Sequence, residues 1–168
     1  QLMDYINDFK CQRYWSFPST WDKDRKTREL NQMMFSGNYV ASEKKDGYFE
    51  RIVKDDNGDV FMTSREKGVN GWVLKQDWVP HLHPFFEALP NNTCLIGEVF
   101  LEEGTSKNIT SILGCKVEKA IERQQDPKKR LKLYLFDALQ INGKDIHMLG
   151  IEERASQLLD LINSLDPD

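Results

Sequence analysis

The chain has 168 residues, and this length predicts one globular domain or two small ones. Its composition, with 39% hydrophobic and 30% charged residues, excludes a disordered chain. No run of about 18 apolar residues and no charged-then-apolar leader is present, which predicts a protein without a membrane partner. The net charge of −4 weighs against a broad nucleic-acid surface, although residues 22–28 and 127–130 are locally basic. The three cysteines are odd in number and far apart, which predicts a reducing cytoplasm and no disulfide framework or zinc knuckle.

The predicted elements begin with helices. Residues 2–10 and 21–35 carry apolar side chains at helical spacing. Ser19 or Thr20 is expected to cap the second helix, and Gly37 is expected to end it.

From residue 38 the pattern changes to strands with interspersed helices. The turn 55–58 (D-D-N-G) predicts a hairpin, because Asn and Gly tolerate a positive φ. The predicted strands are 39–42, 48–54, 59–64, 94–101 and 131–139, and the predicted helices are 83–89, 108–125 and 151–165. This mixture predicts an α+β fold with a mainly antiparallel sheet and flanking helices.

The segment 42–47 (S-E-K-K-D-G) contains the pattern K-x-D-G directly after a predicted strand. In an extended chain, Lys44 and Asp46 point to one side and Lys45 to the other. A lysine can attack the α-phosphate of a nucleotide when positive charge or a metal lowers its pKa, and a nearby carboxylate can hold Mg²⁺. Gly47 allows a sharp turn or a close approach of the backbone to a ligand. The pattern alone is equally typical of a charged turn.

Three further segments follow it in order. Glu98 stands inside an apolar strand, where a carboxylate is rarely buried without a partner. Taken alone, Phe136 is typical of a core ring and Arg65 of a solvated face. The three segments are 63–68 (T-S-R-E-K-G), 95–100 (L-I-G-E-V-F) and 133–137 (L-Y-L-F-D).

In this order the four segments resemble the covalent nucleotidyltransferases, which comprise ATP-dependent DNA ligases, RNA ligases and mRNA capping enzymes. The resemblance covers residues 38–160 and is strongest to the small ATP-dependent DNA ligases of phages and bacteria, through S-E-K-x-D-G-Y and the run 97–113. It implies an ATP-grasp-like adenylation core that uses ATP with Mg²⁺ or Mn²⁺. It also implies a monomer that seals 5′-phosphate/3′-hydroxyl nicks in duplex DNA, as DNA replication and repair require.

The resemblance also implies roles for single residues. Lys44 would be the nucleophile that becomes attached to AMP. Ser42 would touch the adenine edge, Phe136 would stack on the adenine, and Glu98 would bond the ribose hydroxyls. The remaining implied contacts are Arg65 with the phosphate or the nick, Asp46 and Glu98 with the metal, and Glu43, Gly47 and Arg51 with the nucleotide.

The chain departs from the family pattern in two ways. DNA ligases of this family usually have arginine five residues after the lysine; here the position is Phe49, and Arg51 on the same strand face is expected to substitute for it with a changed reach. The later E-G-(apolar)-K and K-x-K motifs and an OB domain are not found, so a fragment that is incomplete at its C-terminus is expected. It would comprise a helical and aromatic segment, 1–37, packed on the core, and the N-terminal part of the adenylation domain, 38–168.

Three alternatives remain open. An RNA ligase would perform the same chemistry on a different acceptor. A non-catalytic nucleotide- or nucleic-acid-binding module with a degenerate ligase fold would explain both departures, but it would not explain the retention of Lys44 and Glu98. A capping guanylyltransferase would differ in the nucleotide that it uses.

Overall fold

The structure is a computed structural model that describes residues 16–65 and 67–165. These residues belong to two compact units that divide between residues 44 and 45. The helix predicted at 2–10 lies outside the described residues. None of the helices in the described part is long and apolar enough to cross a membrane.

In its described residues, the unit that ends at residue 44 contains one helix, α1 (Lys23–Phe35). Asp22 caps its first turn, because the Asp22 side chain accepts a hydrogen bond from the backbone N–H of Arg25 at 2.7 Å. The prediction that Ser19 or Thr20 forms the cap was wrong; the helix begins one residue after the aspartate, whose carboxylate has the required reach.

The helix α1 ends just before Gly37, as predicted. Ser36 is the C-cap, and Gly37 follows with φ of +74°, the left-handed conformation that glycine adopts without steric cost. The predicted strand 39–42 was wrong, because these residues are exposed and pair with no described strand. A short run of strand-favouring side chains does not form a strand without a partner for its backbone.

The other unit is built on a five-stranded sheet in which all neighbouring strands are antiparallel, in the order β2-β1-β3-β4-β5. The hairpin between β1 and β2 turns at Gly58, whose φ is +85°, as predicted. The strands are β1 (Tyr48–Lys54), β2 (Val60–Thr63), β3 (Thr93–Phe100), β4 (Lys132–Ile141) and β5 (Lys144–Asp145).

Within the described residues, four α-helices accompany this sheet and confirm the α+β class. The predicted helix 108–125 was wrong in one respect, because it is two helices. It breaks at Gly114, whose N–H donates to the carbonyl of Thr110, and Lys116 then turns to an extended conformation. The helices are α2 (His83–Ala88), α3 (Ser106–Leu113), α4 (Val117–Arg123) and α5 (Ile151–Leu165).

The hydrophobic core lies on one face of the sheet. Alternate strand residues point to that face and pack against apolar side chains of the helices. Members of this cluster include Ile52, Leu95, Ala138, Phe86, Ile109 and Leu158. The opposite face, here termed the site face, carries Phe49, Glu98 and Tyr134, which are cross-strand neighbours on β1, β3 and β4.

Candidate nucleotide-binding site

Gly47 of the K-x-D-G pattern is held against the backbone of β3. A Cβ atom at this position would clash with the carbonyl oxygen of Val99 and lie 3.3 Å from the Cβ of Phe100. Glycine is therefore needed for the close approach of two backbones. This contact anchors the start of β1 and, with it, the preceding Lys45 and Asp46.

Substituting Gly47 by alanine is expected to lower the free energy of unfolding by about 2 kcal/mol or more, because a methyl group must displace the backbone of a central strand. The matched control is Gly150→Ala, since nothing lies within 4 Å of a Cβ there and Gly150 has no positive φ. Urea unfolding of the two variants measures the difference. Equal losses of stability would contradict the close approach.

The two lysines of the pattern differ in their surroundings. Lys44 is exposed and is the last residue of one unit. Ser42 and Glu43 before it belong to the same unit and are also exposed. Lys45 opens the other unit, and its Nζ lies over two rings, 5.3 Å from the centroid of Phe100 and 5.7 Å from that of Tyr134.

Glu98 and Phe136 lie on the site face. Glu98 is half-buried, and none of the hydrogen bonds or ion pairs among the described residues involves its carboxylate. Phe136 is 38% exposed, and its ring centroid lies 6.4 Å from that of Tyr134, two residues earlier on β4. A carboxylate that can accept hydrogen bonds and an exposed ring that can stack are thus brought to one side of the sheet.

Gly97 explains why Glu98 has Tyr134 as its neighbour. A Cβ atom on Gly97 would lie 2.5 Å from the carbonyl oxygen of Tyr134, so only glycine permits this approach of β3 to β4. The register of the two strands shifts between Ile96 and Gly97, and Glu98 then pairs with Tyr134. Tyr134 was not singled out from the sequence, because its place beside Glu98 depends on this register.

The two arginines near the site face differ in exposure. Arg51 is 0% exposed, and its Cζ lies 5.4 Å from the ring centroid of Trp72. Arg65 is half-buried, and its Cζ lies 4.9 Å from the ring centroid of Phe49. Arg51 is enclosed in this conformation, so the nucleotide contact predicted for it would require its surroundings to move. Arg65 retains access to a ligand.

Asp137 and the two histidines near α2 have structural partners. The Arg154 guanidinium bonds both Asp137 carboxylate oxygens, with Nε at 2.7 Å, and so ties α5 to β4. The Nε2 atoms of His81 and His83 lie 2.7 Å and 2.8 Å from backbone carbonyl oxygens, and burial lowers the pKa of His81. These contacts are those of a packed loop.

The described residues contain no group of three or more His, Cys, Asp or Glu side chains arranged to hold a metal ion. Asp46 is exposed and Glu98 half-buried, and both offer the carboxylate oxygens that Mg²⁺ prefers. Mg²⁺ commonly binds one or two carboxylates and completes its shell with water and substrate phosphates. The chemistry of these two side chains therefore fits a metal that arrives with a nucleotide.

Comparison with known families decides the family. Residues 24–167 match the ATP dependent DNA ligase domain. The chain belongs to this family. The matched range contains every candidate site residue from Ser42 to Phe136, and membership supports a ligase that uses ATP and DNA. None of the curated proteins compared with the chain matches it.

Proposed function

We propose that this chain is the nucleotide-binding part of a DNA ligase in which Lys44 becomes covalently attached to AMP. The deprotonated Lys44 amine attacks the α-phosphorus of ATP. A nitrogen–phosphorus bond forms, the phosphorus–oxygen bond to the β-phosphate breaks, and pyrophosphate leaves with the bonding electrons. AMP then passes to the 5′-phosphate of a nick, and the 3′-hydroxyl displaces it to form the phosphodiester.

The observation that carries this proposal is the family match, which spans K-x-D-G and the three later segments in one range. The fold adds a physical reason for two glycines of those segments. Gly47 and Gly97 each bring one backbone against another, so they serve the packing around the motifs. A chance K-x-D-G in a charged turn would need neither approach.

The chain's own residues would act by positioning the nucleotide. Phe136 offers a partly exposed ring for the adenine, where stacking contributes about 1 kcal/mol. Glu98 offers a carboxylate that can accept hydrogen bonds from the ribose hydroxyls, and Arg65 offers a cation for a phosphate. Ser42 precedes Lys44 by two residues and would meet the adenine edge, and Glu43 would contact the nucleotide.

Mg²⁺ fits Asp46 and Glu98 by donor type, and when bound it would neutralise phosphate charge and so help pyrophosphate to leave. Most of the catalysis would come from orientation of the reacting groups and from charge neutralisation.

Mass spectrometry of the chain after incubation with ATP and Mg²⁺ tests the proposal, with peptide mapping to locate the adduct. An AMP adduct on Lys44 is the expected result. ATP binding without an adduct would favour the non-catalytic nucleotide-binding module. The absence of both ATP binding and an adduct would contradict the proposal. In a parallel incubation with GTP, an adduct that forms from GTP and not from ATP would indicate a guanylyltransferase.

The acceptor is proposed to be a nick in duplex DNA, contacted mainly through its phosphates. Sealing of nicked DNA and of nicks with RNA on one strand, measured with the adenylated protein, separates the DNA ligase from the RNA ligase. Transfer of AMP to DNA 5′-phosphates is expected. Transfer only to RNA-containing nicks would favour the RNA ligase.

A further inference from the structure

Phe49 stands where the family pattern has an arginine, and the structure shows what its ring does. Phe49 lies on β1 directly across from Glu98 on β3. The guanidinium of Arg65 lies over this ring, with Cζ 4.9 Å from the centroid. Arg65 follows the end of β2 by two residues, so the ring holds a side chain that comes from beyond the strand.

The guanidinium of Arg65 keeps hydrogen-bonding capacity in this position. Its Nε is buried and has no hydrogen-bond partner among the described residues. An aromatic ring attracts the positive charge over its face, but it does not satisfy the N–H donors that lie in the guanidinium plane. A phosphate is the acceptor that matches both the charge and the forked donors.

Arg51 is not placed to contact a ligand phosphate. Its side chain is 0% exposed beside Trp72, whereas Arg65 is half-buried beside Phe49. Of these two arginines, the one held by the ring at position 49 is therefore the one that a ligand can reach.

We infer that Phe49 is a positioning residue that holds Arg65 for contact with a ligand phosphate beside Glu98. This inference rests on the proposed function, because that function supplies the phosphate. The phosphate belongs either to ATP or to the 5′ end of the nick, and the two ligands can be tested separately.

The test measures dissociation constants in a Lys44→Ala background, so that no covalent step interferes. The ligands are ATP, adenosine, and nicked duplex DNA with and without its 5′-phosphate. Phe49→Leu removes the ring and is expected to weaken binding of ATP or of the phosphorylated nick about five- to tenfold. Adenosine and the unphosphorylated nick are expected to bind unchanged, and Phe49→Tyr, which keeps a ring, is expected to restore binding.

Two controls separate positioning from general damage. Phe61→Leu makes the same change on the same face of the sheet, at a ring that no described arginine or lysine covers, and should leave all four constants unchanged. In an Arg65→Ala background, Phe49→Leu should have no further effect, because the group that it positions is absent.

The outcomes also separate the inference from the function on which it rests. A weakening confined to ATP or to the phosphorylated nick supports the inference and identifies the phosphate. Equal binding by the Phe49→Leu variant and its parent overturns the inference alone, and so does a weakening that persists without Arg65. Failure of the parent to bind either ATP or DNA overturns the proposed function and the inference together.

Discussion

Substituting Lys44 by arginine is expected to abolish the AMP adduct, with a loss of more than about a thousandfold. A guanidinium remains protonated at any pH at which the protein is folded, so it cannot attack phosphorus. The positive charge is kept, so a loss would not reflect weaker attraction of the ATP phosphates. The measurement is the fraction of adenylated chain after incubation with ATP and Mg²⁺.

The neighbouring lysine supplies a matched control. Lys45→Arg makes the same change one residue later, where the Nζ lies over the rings of Phe100 and Tyr134. An arginine can keep that cation–π contact, so the adduct is expected to form within about twofold of the parent level. An adduct that survives in Lys44→Arg and disappears in Lys45→Arg would contradict the assignment of the nucleophile.

The fold was predictable where the signal is local. The hairpin turn that ends at Gly58 and the helix Ile151–Leu165 follow from turn chemistry and helical spacing, and both occur as predicted. Two of the errors are local, the cap at Asp22 and the helix break at Gly114, and one is non-local. Residues 39–42 favour a strand but have no strand partner in the described sheet, and the segment 108–125 is divided because Gly114 ends the first helix.

In the candidate site, too, some features were predictable from the sequence and others depend on how the strands pair. The order of motifs in the sequence singled out Lys44, Glu98, Arg65 and Phe136. The position of Tyr134 beside Glu98 depends on the register shift at Gly97, and that of Arg65 over Phe49 depends on strand pairing. Strand register is set by the packing of the whole sheet, so these neighbours were not predictable from spacing alone.

Glu50 is a buried carboxyl group on the face of the sheet opposite the site face. Its side chain is 3% exposed, and its Oε2 has no hydrogen-bond partner among the described residues. Burial raises the pKa of Glu50 from 4.5 to about 8, and the positive charge of Lys75 opposes that rise. The folded protein therefore holds the Glu50 proton far more tightly than the unfolded chain does.

Lys75 does not fully compensate this carboxylate. Its Nζ donates to the carbonyl of Leu113 at 2.6 Å and lies 3.7 Å from the ring centroid of Trp78. Burial lowers the pKa of Lys75, while the charge of Glu50 raises it. The contacts with Leu113 and Trp78 fix the position of the Lys75 ammonium group, so that it does not move to pair with Glu50. Ionisation of Glu50 therefore still costs free energy in the folded protein.

The sign of the pH dependence follows from these pKa values. Because the folded pKa of Glu50 exceeds the unfolded one, its contribution to stability is fully present below pH 4.5 and is lost as the pH rises to about 8. Within this window the free energy of unfolding should fall by about 1.4 kcal/mol per pH unit from this group alone.

Glu50→Gln removes the titrating group while preserving its shape, so the stability of the variant should lose this pH dependence. Relative to the parent, the free energy of unfolding of the variant should increase by roughly 3 kcal/mol between about pH 5.5 and pH 8.5. Glu118→Gln, an exposed carboxyl in the first turn of α4, is the control and should follow the parent at every pH. Parallel stability curves for Glu50→Gln and the parent across this range would show that the folded protein ionises Glu50 without the cost that its burial implies.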